Sequence, residues 1–343
     1  HDLLIDEVSK KIHDKKILNL IIIFIVIFLL FILTKPKYNY PKEFKLNVIH
    51  VGAAEEHEKM DINTGGFCWV ACLTMLLKQY DANIEYWMVH NFREASTRFN
   101  FFYATTEGNK LLADSDAGGT KSVLLAAKNL GYTPHLRIRN PTLVYLLTWK
   151  RYGEAWQIKN WIKFANELGV DVDTFIIPPW DLVKHLISSG IPVQVDDSSC
   201  FHDNHVIEGY DKENIYIIVP DPEFFNLENA KKKCKLMPLY GLRFIWLTKD
   251  GERKSDEEIL SSLRWRASLA VLNIRHFVEL LKQGKKIYEF DSGRFSVLRK
   301  SAYYYFKERG LEEVAFLYNK SAELFKQLHL SFSSKEAEKH KEK

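Results

Sequence analysis

The stretch CWVACLTMLL, residues 68–77, is the part of the sequence from which the rest is interpreted. Apolar and small side chains recur there at helical spacing, and a glycine-containing turn, Thr64-Gly65-Gly66, comes just before them. The residues that set this spacing are Cys68, Cys72, Met75, Leu76 and Tyr80. This pattern predicts a buried helix that begins at Cys68.

Cys68 has three interpretations. At the first residue of a helix, the positive end of the helix dipole favours the thiolate, which makes the thiol a candidate nucleophile. A free cysteine is also a small apolar side chain that is often simply buried. Cys72, one turn later, is awkwardly placed for a disulfide but suitable for a metal pair. Because no tidy second ligand cluster accompanies them, we predict neither a metal nor a cofactor.

A nucleophilic cysteine needs a base, and the base needs a third group that orients its ring. His205 opens an apolar strand, and Asp221 follows the next strand after a turn at residues 211–214. An antiparallel pairing of these two strands would return Asp221 to the side of His205. We therefore predict a catalytic set of Cys68, His205 and Asp221, with His202 as the rival base.

In this order and spacing the sequence resembles the papain-like cysteine peptidases, most closely the group that removes double-glycine leader peptides from bacteriocins. Residues 68–77 are similar to the stretch that starts the central helix of that group. The downstream similarities are Gly190-Ile191-Pro192-Val193-Gln194-Val195, His205 with Gly209-Tyr210-Asp211, and Asp221-Pro222. The resemblance covers residues 46–250 and implies an α+β, papain-like fold and a peptide or protein substrate.

The sequence departs from this family beside the nucleophile. Family members carry a Gln about six residues before the cysteine, whose amide stabilises the oxyanion, and Ile62 occupies that position here. Asn63 is the nearest amide and is the tentative oxyanion donor. The departure leaves open a catalytically inactive peptide-binding module, and an acyl or amide transferase on the same triad is a further alternative. A remote alternative is a metal-dependent hydrolase built from Asp196, Asp197, His202 and Asp203.

Residues 17–34, ILNLIIIFIVIFLLFILT, predict a single transmembrane helix, since 16 of 18 side chains are Ile, Leu, Val or Phe and none is charged. The chain is therefore expected to contact a lipid bilayer as a single-pass membrane protein. Lysines before and after the span balance each other, so the positive-inside rule does not give its orientation. The soluble domain is a candidate for the extracytoplasmic side, where Cys200 and Cys234 can form a disulfide.

The remaining sequence divides into segments of different character. Residues 1–16 are a short polar N-terminal segment and 35–45 a linker, while 46–250 form the peptidase-like domain. Residues 251–330 predict a helical C-terminal region, with a capping box at Ser255, and 331–343 predict a disordered tail. The overall composition, 46% apolar and 27% charged with a net charge of +4, is that of a globular protein and gives no reason to expect nucleic acid binding.

Within the predicted domain, helices are expected first and an antiparallel sheet second. The helices after the central one are predicted at residues 120–130, 156–168 and 179–189. The strands are predicted at residues 192–195, 205–210, 215–219 and 244–247.

Overall fold

The structure is a computed structural model. It describes residues 38–62, 67–97, 101–105, 108–112, 120–142, 152–196, 204–225, 228–236, 243–284, 287–289 and 292–341. The chain divides into two compact units, His1–Tyr40 and Pro41–Lys343. The predicted N-terminal segment 1–16 and membrane span 17–34 lie outside the described residues. Within the described part, no helix is both long and apolar enough to cross a bilayer.

The second unit combines two sheets with helices, which confirms the α+β class. The main sheet has the strand order β5-β4-β10-β6-β7-β8-β9, and β1 pairs with β7. Its strands are β1 (Phe44–Lys45), β4 (Thr133–Arg139), β5 (Asp171–Phe175), β6 (Val193–Asp196), β7 (Asn204–Tyr210), β8 (Asn214–Ile218), β9 (Lys231–Lys235) and β10 (Arg243–Thr248). The smaller sheet has the order β11-β2-β3, from β2 (Phe101–Thr105), β3 (Gly108–Leu112) and β11 (Ile287–Glu289).

The four predicted strands are present as β6, β7, β8 and β10, but the expectation of a purely antiparallel sheet is wrong. β4 and β5 pair in parallel, with His135 opposite Asp171. A parallel pair needs a long crossover, and the helix α5 (Tyr152–Glu167) lies within this one. The sheet is therefore mixed, and its parallel strands were not recognised in the sequence.

The helix predicted at Cys68 is confirmed as α2 (Cys68–Lys78). Val70 to Leu77 are all buried in the hydrophobic core, and α2 packs on β6, β7 and β10. The helices before and after it are α1 (Ala53–Lys59), α3 (Tyr86–Phe92), α4 (Thr120–Asn129) and α6 (Trp180–Ser188). With α5, the last two correspond to the three further predicted helices.

The C-terminal region confirms one prediction and departs from another. The capping box is confirmed, since Ser255 Oγ accepts a hydrogen bond from the Glu258 N–H at the start of α7 (Asp256–Lys282). A helix that was not predicted, α8 (Ser292–Glu308), packs on α3, so this region is not a separate appendage.

The predicted disordered tail at 331–343 is wrong over residues 331–341, because α9 (Glu312–Lys341) continues through them. Ala, Glu and Lys in this segment have high helix propensity, and extending an existing helix avoids the cost of nucleation.

Candidate functional site

The strand register brings His205 and the segment leading to Asp221 to one edge of the main sheet. His205 is the second residue of β7 and lies opposite Val195 of β6. Val206 pairs with Ile218 of β8, so His205 comes beside Val219, two residues before Asp221. The predicted antiparallel pairing of these two strands is thus confirmed.

The turn that sets this register is held by one carboxylate. Asp211 accepts hydrogen bonds from the N–H groups of Glu213 and Asn214 and from the Tyr216 hydroxyl. Lys233 donates a further hydrogen bond to it, and these contacts, led by that of Lys233, lower the pKa of the Asp211 carboxyl below its usual range. The hairpin that returns the chain toward Asp221 is therefore well defined.

Asp221 is almost fully buried, and residues distant in the sequence hold it in position. Its Oδ1 accepts a hydrogen bond of 2.9 Å from the backbone N–H of Ala54, in the first turn of α1. The carbonyl oxygen of the preceding Pro220 lies 3.3 Å from Nε2 of His50. The carboxylate is thus held rigidly at the edge where β7 begins and β8 ends.

Cys68 is half-buried at the start of α2. The residue before it, Phe67, has left-handed backbone angles of φ 72° and ψ 26°, a conformation that costs a non-glycine residue about 1–2 kcal/mol. The Phe67 side chain offers no hydrogen bond to cap this end of the helix. The thiol therefore sits at the positive end of the dipole of a buried helix, the setting in which a thiolate is favoured.

The pKa of Tyr86 responds to both Cys68 and Asp221. This tyrosine is fully buried in α3, and burial raises the pKa of its hydroxyl well above 10. Arg93 opposes the shift, whereas the negative charges of Asp221 and of a Cys68 thiolate raise the pKa further. The pKa of this phenol is therefore raised mainly by burial and, to a lesser extent, by both predicted catalytic residues.

His205 is at the same edge of the sheet, but on a different face. Its neighbour Val206 lies in the core cluster that contains the side chains of α2. Because successive side chains of a strand point to opposite faces, the Cβ of His205 is directed to the face on which α6 packs. A meeting of the imidazole with Cys68 therefore depends on the ring reaching around the sheet edge.

Next to Cys68 lies a buried cluster that the sequence did not reveal: His57, Phe67, Tyr86, His90 and Arg93. His57 Nε2 and the Tyr86 hydroxyl are 3.0 Å apart, and both side chains are fully buried. The two residues lie in different helices and are 29 positions apart along the chain, so no local spacing marks them. The sequence signal that could have indicated this cluster is the presence of two histidines, His57 and His90, in short helical segments.

His90 is the most deeply perturbed member of this cluster. Its ring packs edge-on against Phe67 and Tyr86, each with a centroid distance of 4.9 Å. Within the described residues, neither ring nitrogen has a hydrogen-bond partner. Burial lowers the pKa of His90 well below 6.5, and the charges of Arg93 and His57 lower it further.

This shift makes the stability of the fold sensitive to acid. An unfolded histidine titrates near 6.5, so below that pH the unfolded state binds more protons than the folded state. We expect the free energy of unfolding to fall as the pH drops from about 6.5, by up to about 1.4 kcal/mol per pH unit for this group. Urea unfolding at a series of pH values measures the slope.

The matched variants for this measurement are His90→Phe, which keeps an aromatic ring in the aromatic contact, and His185→Phe in α6. His90→Phe is expected to flatten the acid slope, and His185→Phe to leave most of it. An acid slope that is identical in wild type and His90→Phe would contradict the role given to His90.

The other predicted site residues fall into two groups. Asn63, the tentative oxyanion donor, lies outside the described residues, as do Asp197, Cys200, His202 and Asp203. Ile62 is described and buried. Asp196 forms an ion pair of 2.8 Å with Arg243. Among the described residues no group of three His, Cys, Asp or Glu side chains is arranged to hold a metal ion.

The four cysteines differ in oxidation state. Cys68 and Cys72 are not in a disulfide, whereas Cys234 is disulfide-bonded. Cys200, the partner expected from the sequence, lies outside the described residues. Cys72 is completely buried, whereas Cys68 is half-buried and is the more exposed of the two.

Searches against protein-family models, curated proteins and solved structures find no match for this chain. The functional interpretation therefore depends on the geometry of the residues described above.

Proposed function

We propose that this chain is a membrane-anchored thiol hydrolase with a papain-like fold that cleaves peptide bonds. Cys68 is the nucleophile, His205 the base and Asp221 the residue that orients the base. The observation that carries the proposal is the position of a half-buried thiol at the strained start of a buried helix, and the β7–β8 pairing that returns the chain toward Asp221 supports it. His205 at the same sheet edge supports it.

In this mechanism the Cys68 sulfur attacks the peptide carbonyl carbon, and its proton passes to His205. The amine leaves with that proton when the tetrahedral intermediate collapses, which produces a thioester on Cys68. Water then attacks the thioester, again with His205 as base, and releases the carboxylic acid and the free thiol. The backbone N–H of Cys68, with Asn63 as the tentative second donor, stabilises the oxyanion.

The membrane attachment belongs to the same proposal. Residues 17–34 anchor the chain in a bilayer, and residues 35–45 hold the domain away from the headgroups. The disulfide at Cys234 supports an extracytoplasmic domain, since disulfides persist in oxidising compartments.

An acyl or amide transferase would use the same thioester on Cys68, with an amine in place of water as the attacking group.

The proposal is tested by the pH dependence of thiol labelling. In the full chain with Cys72→Ala, iodoacetamide should alkylate Cys68 at pH 6–6.5 at least about tenfold faster than it alkylates a simple thiol, whose pKa is about 8.5. Mass spectrometry of the peptide that contains Cys68 gives the rate. Labelling that follows the titration of an ordinary thiol would contradict the assignment of Cys68 as the nucleophile.

A second candidate is a catalytically silent peptide-binding module. Two observations favour it: the Cβ of His205 is directed to the face opposite α2, and buried Ile62 stands where the peptidases that the sequence resembles have the oxyanion Gln. This candidate predicts an ordinary Cys68 thiol together with peptide binding that survives Cys68→Ala.

A further inference from the structure

Phe67 directly precedes Cys68 and is the N-cap residue of α2. Its carbonyl oxygen accepts hydrogen bonds from the N–H groups of Val70 at 2.8 Å and Ala71 at 3.2 Å, so the orientation of this one residue sets the first turn of α2. Its φ of 72° is a left-handed value that a residue with a side chain rarely adopts. Something outside the backbone must therefore hold it.

The Phe67 ring is held by side chains from three other helical segments. His57 of α1 lies edge-on at 6.1 Å, and the guanidinium of Arg93, at the end of α3, lies 4.9 Å above the ring centroid. His90 of α3 and Arg294 of α8 make further contacts at 4.9 Å and 5.7 Å, and Trp69 of α2 lies edge-on at 6.1 Å. Aromatic and cation–π contacts on several sides fix both the position and the tilt of such a ring.

The hydrogen bond between His57 and Tyr86 joins two of these contacts. It links α1 to α3 at 3.0 Å inside a region from which water is excluded. The Tyr86 ring also packs against His57 at 5.6 Å and against His90 at 4.9 Å, so it supports both histidines that touch Phe67. Removing the hydroxyl would leave the buried Nε2 of His57 without this bond and allow its ring to move.

We propose that His57 and Tyr86 are positioning residues for Cys68, an inference that rests on the proposed function of this thiol. Their hydrogen bond holds the Phe67 ring, and the Phe67 backbone in turn fixes the sulfur at the N-terminus of α2. Neither residue contacts substrate, because both are fully buried. The reactivity of Cys68 therefore depends on a hydrogen bond made by two side chains beneath it.

The test compares Tyr86→Phe with Tyr80→Phe in the full chain with Cys72→Ala. Both substitutions remove one phenol oxygen that bonds inside the fold; the Tyr80 hydroxyl donates to the Leu247 carbonyl oxygen near the other end of α2. Tyr86→Phe should lower the rate of Cys68 alkylation at pH 6.5 by about tenfold and move its pH profile toward higher pH, as expected for a displaced reacting group. Tyr80→Phe should leave the profile unchanged.

His57→Gln is the second variant, because its amide can keep a hydrogen bond to Tyr86 while the imidazole contact with Phe67 is lost. It should reduce the alkylation rate in the same direction, and thermal unfolding confirms that each variant is folded. A wild-type profile in folded Tyr86→Phe and His57→Gln would overturn the inference while leaving Cys68 as nucleophile. An ordinary thiol profile in the parent protein would instead remove the proposed function itself.

Discussion

Replacing Cys68 with Ala is expected to reduce peptide hydrolysis by at least about a thousandfold while leaving the free energy of unfolding nearly unchanged. The large loss follows because the thioester cannot form without the sulfur. The small effect on stability follows because Cys68 is only half-buried, so truncation leaves no closed cavity in the core. Hydrolysis of a mixed peptide library, followed by mass spectrometry, measures the activity across many candidate cleavage sites at once.

Cys72→Ala provides the matched control one helical turn away. This side chain is completely buried, so its truncation should destabilise the fold by about 1 kcal/mol while hydrolysis continues. Urea unfolding and the peptide assay together separate the two effects. Hydrolysis that persists in Cys68→Ala, or that disappears only in Cys72→Ala, would contradict the assignment of the nucleophile.

The elements that the sequence predicts well are those marked by a pattern within a short stretch of chain. The start of α2 follows from a turn and an apolar helical repeat, and the β7–β8 hairpin from two β-branched runs around Asp211. These signals are local, and the fold does not override them. The order of strands in the sheet is set by tertiary packing, which explains why the parallel β4–β5 pair was missed.

The helix α8 shows why a buried element can escape recognition. Its buried face includes polar residues, among them Ser296, Arg299 and Ser301, instead of a simple apolar stripe. Each finds a partner within the fold: the Arg299 Nη1 donates to the Ser96 carbonyl oxygen, the Ser296 hydroxyl to that of Ala322, and the Ser301 hydroxyl to that of Val297. Hydropathy periodicity cannot identify a helix whose buried face contains polar side chains that are satisfied by hydrogen bonds.

The site shows the same division between local and tertiary information. Cys68 and Asp221 were predicted as site residues because each follows a recognisable turn or strand. His57 and Tyr86 were not, because their importance arises only when α1 and α3 pack together beside the start of α2. A residue that positions a reactive group from below leaves no characteristic spacing in the sequence.

His205→Ala provides the second large expected effect, since an imidazolium beside the sulfur is what would keep the thiol ionised below neutral pH. Without it, the pH dependence of Cys68 alkylation should move toward that of an ordinary thiol, with a pKa of about 8.5. At pH 6 such a thiol is ionised to about 0.3%, so the alkylation rate should fall by about two orders of magnitude. Peptide hydrolysis should fall with it.

His135→Ala is the control for this measurement, because His135 lies in β4, which pairs with neither β7 nor β8, and its ring contacts Asp171 and Thr248, which have no part in the mechanism. It should leave the alkylation profile of Cys68 close to that of the wild type. The comparison is informative because the Cβ of His205 is directed to the face of the sheet opposite α2. If the low-pH reactivity survived His205→Ala, His205 would not be the base, and this strand residue would have only a structural role.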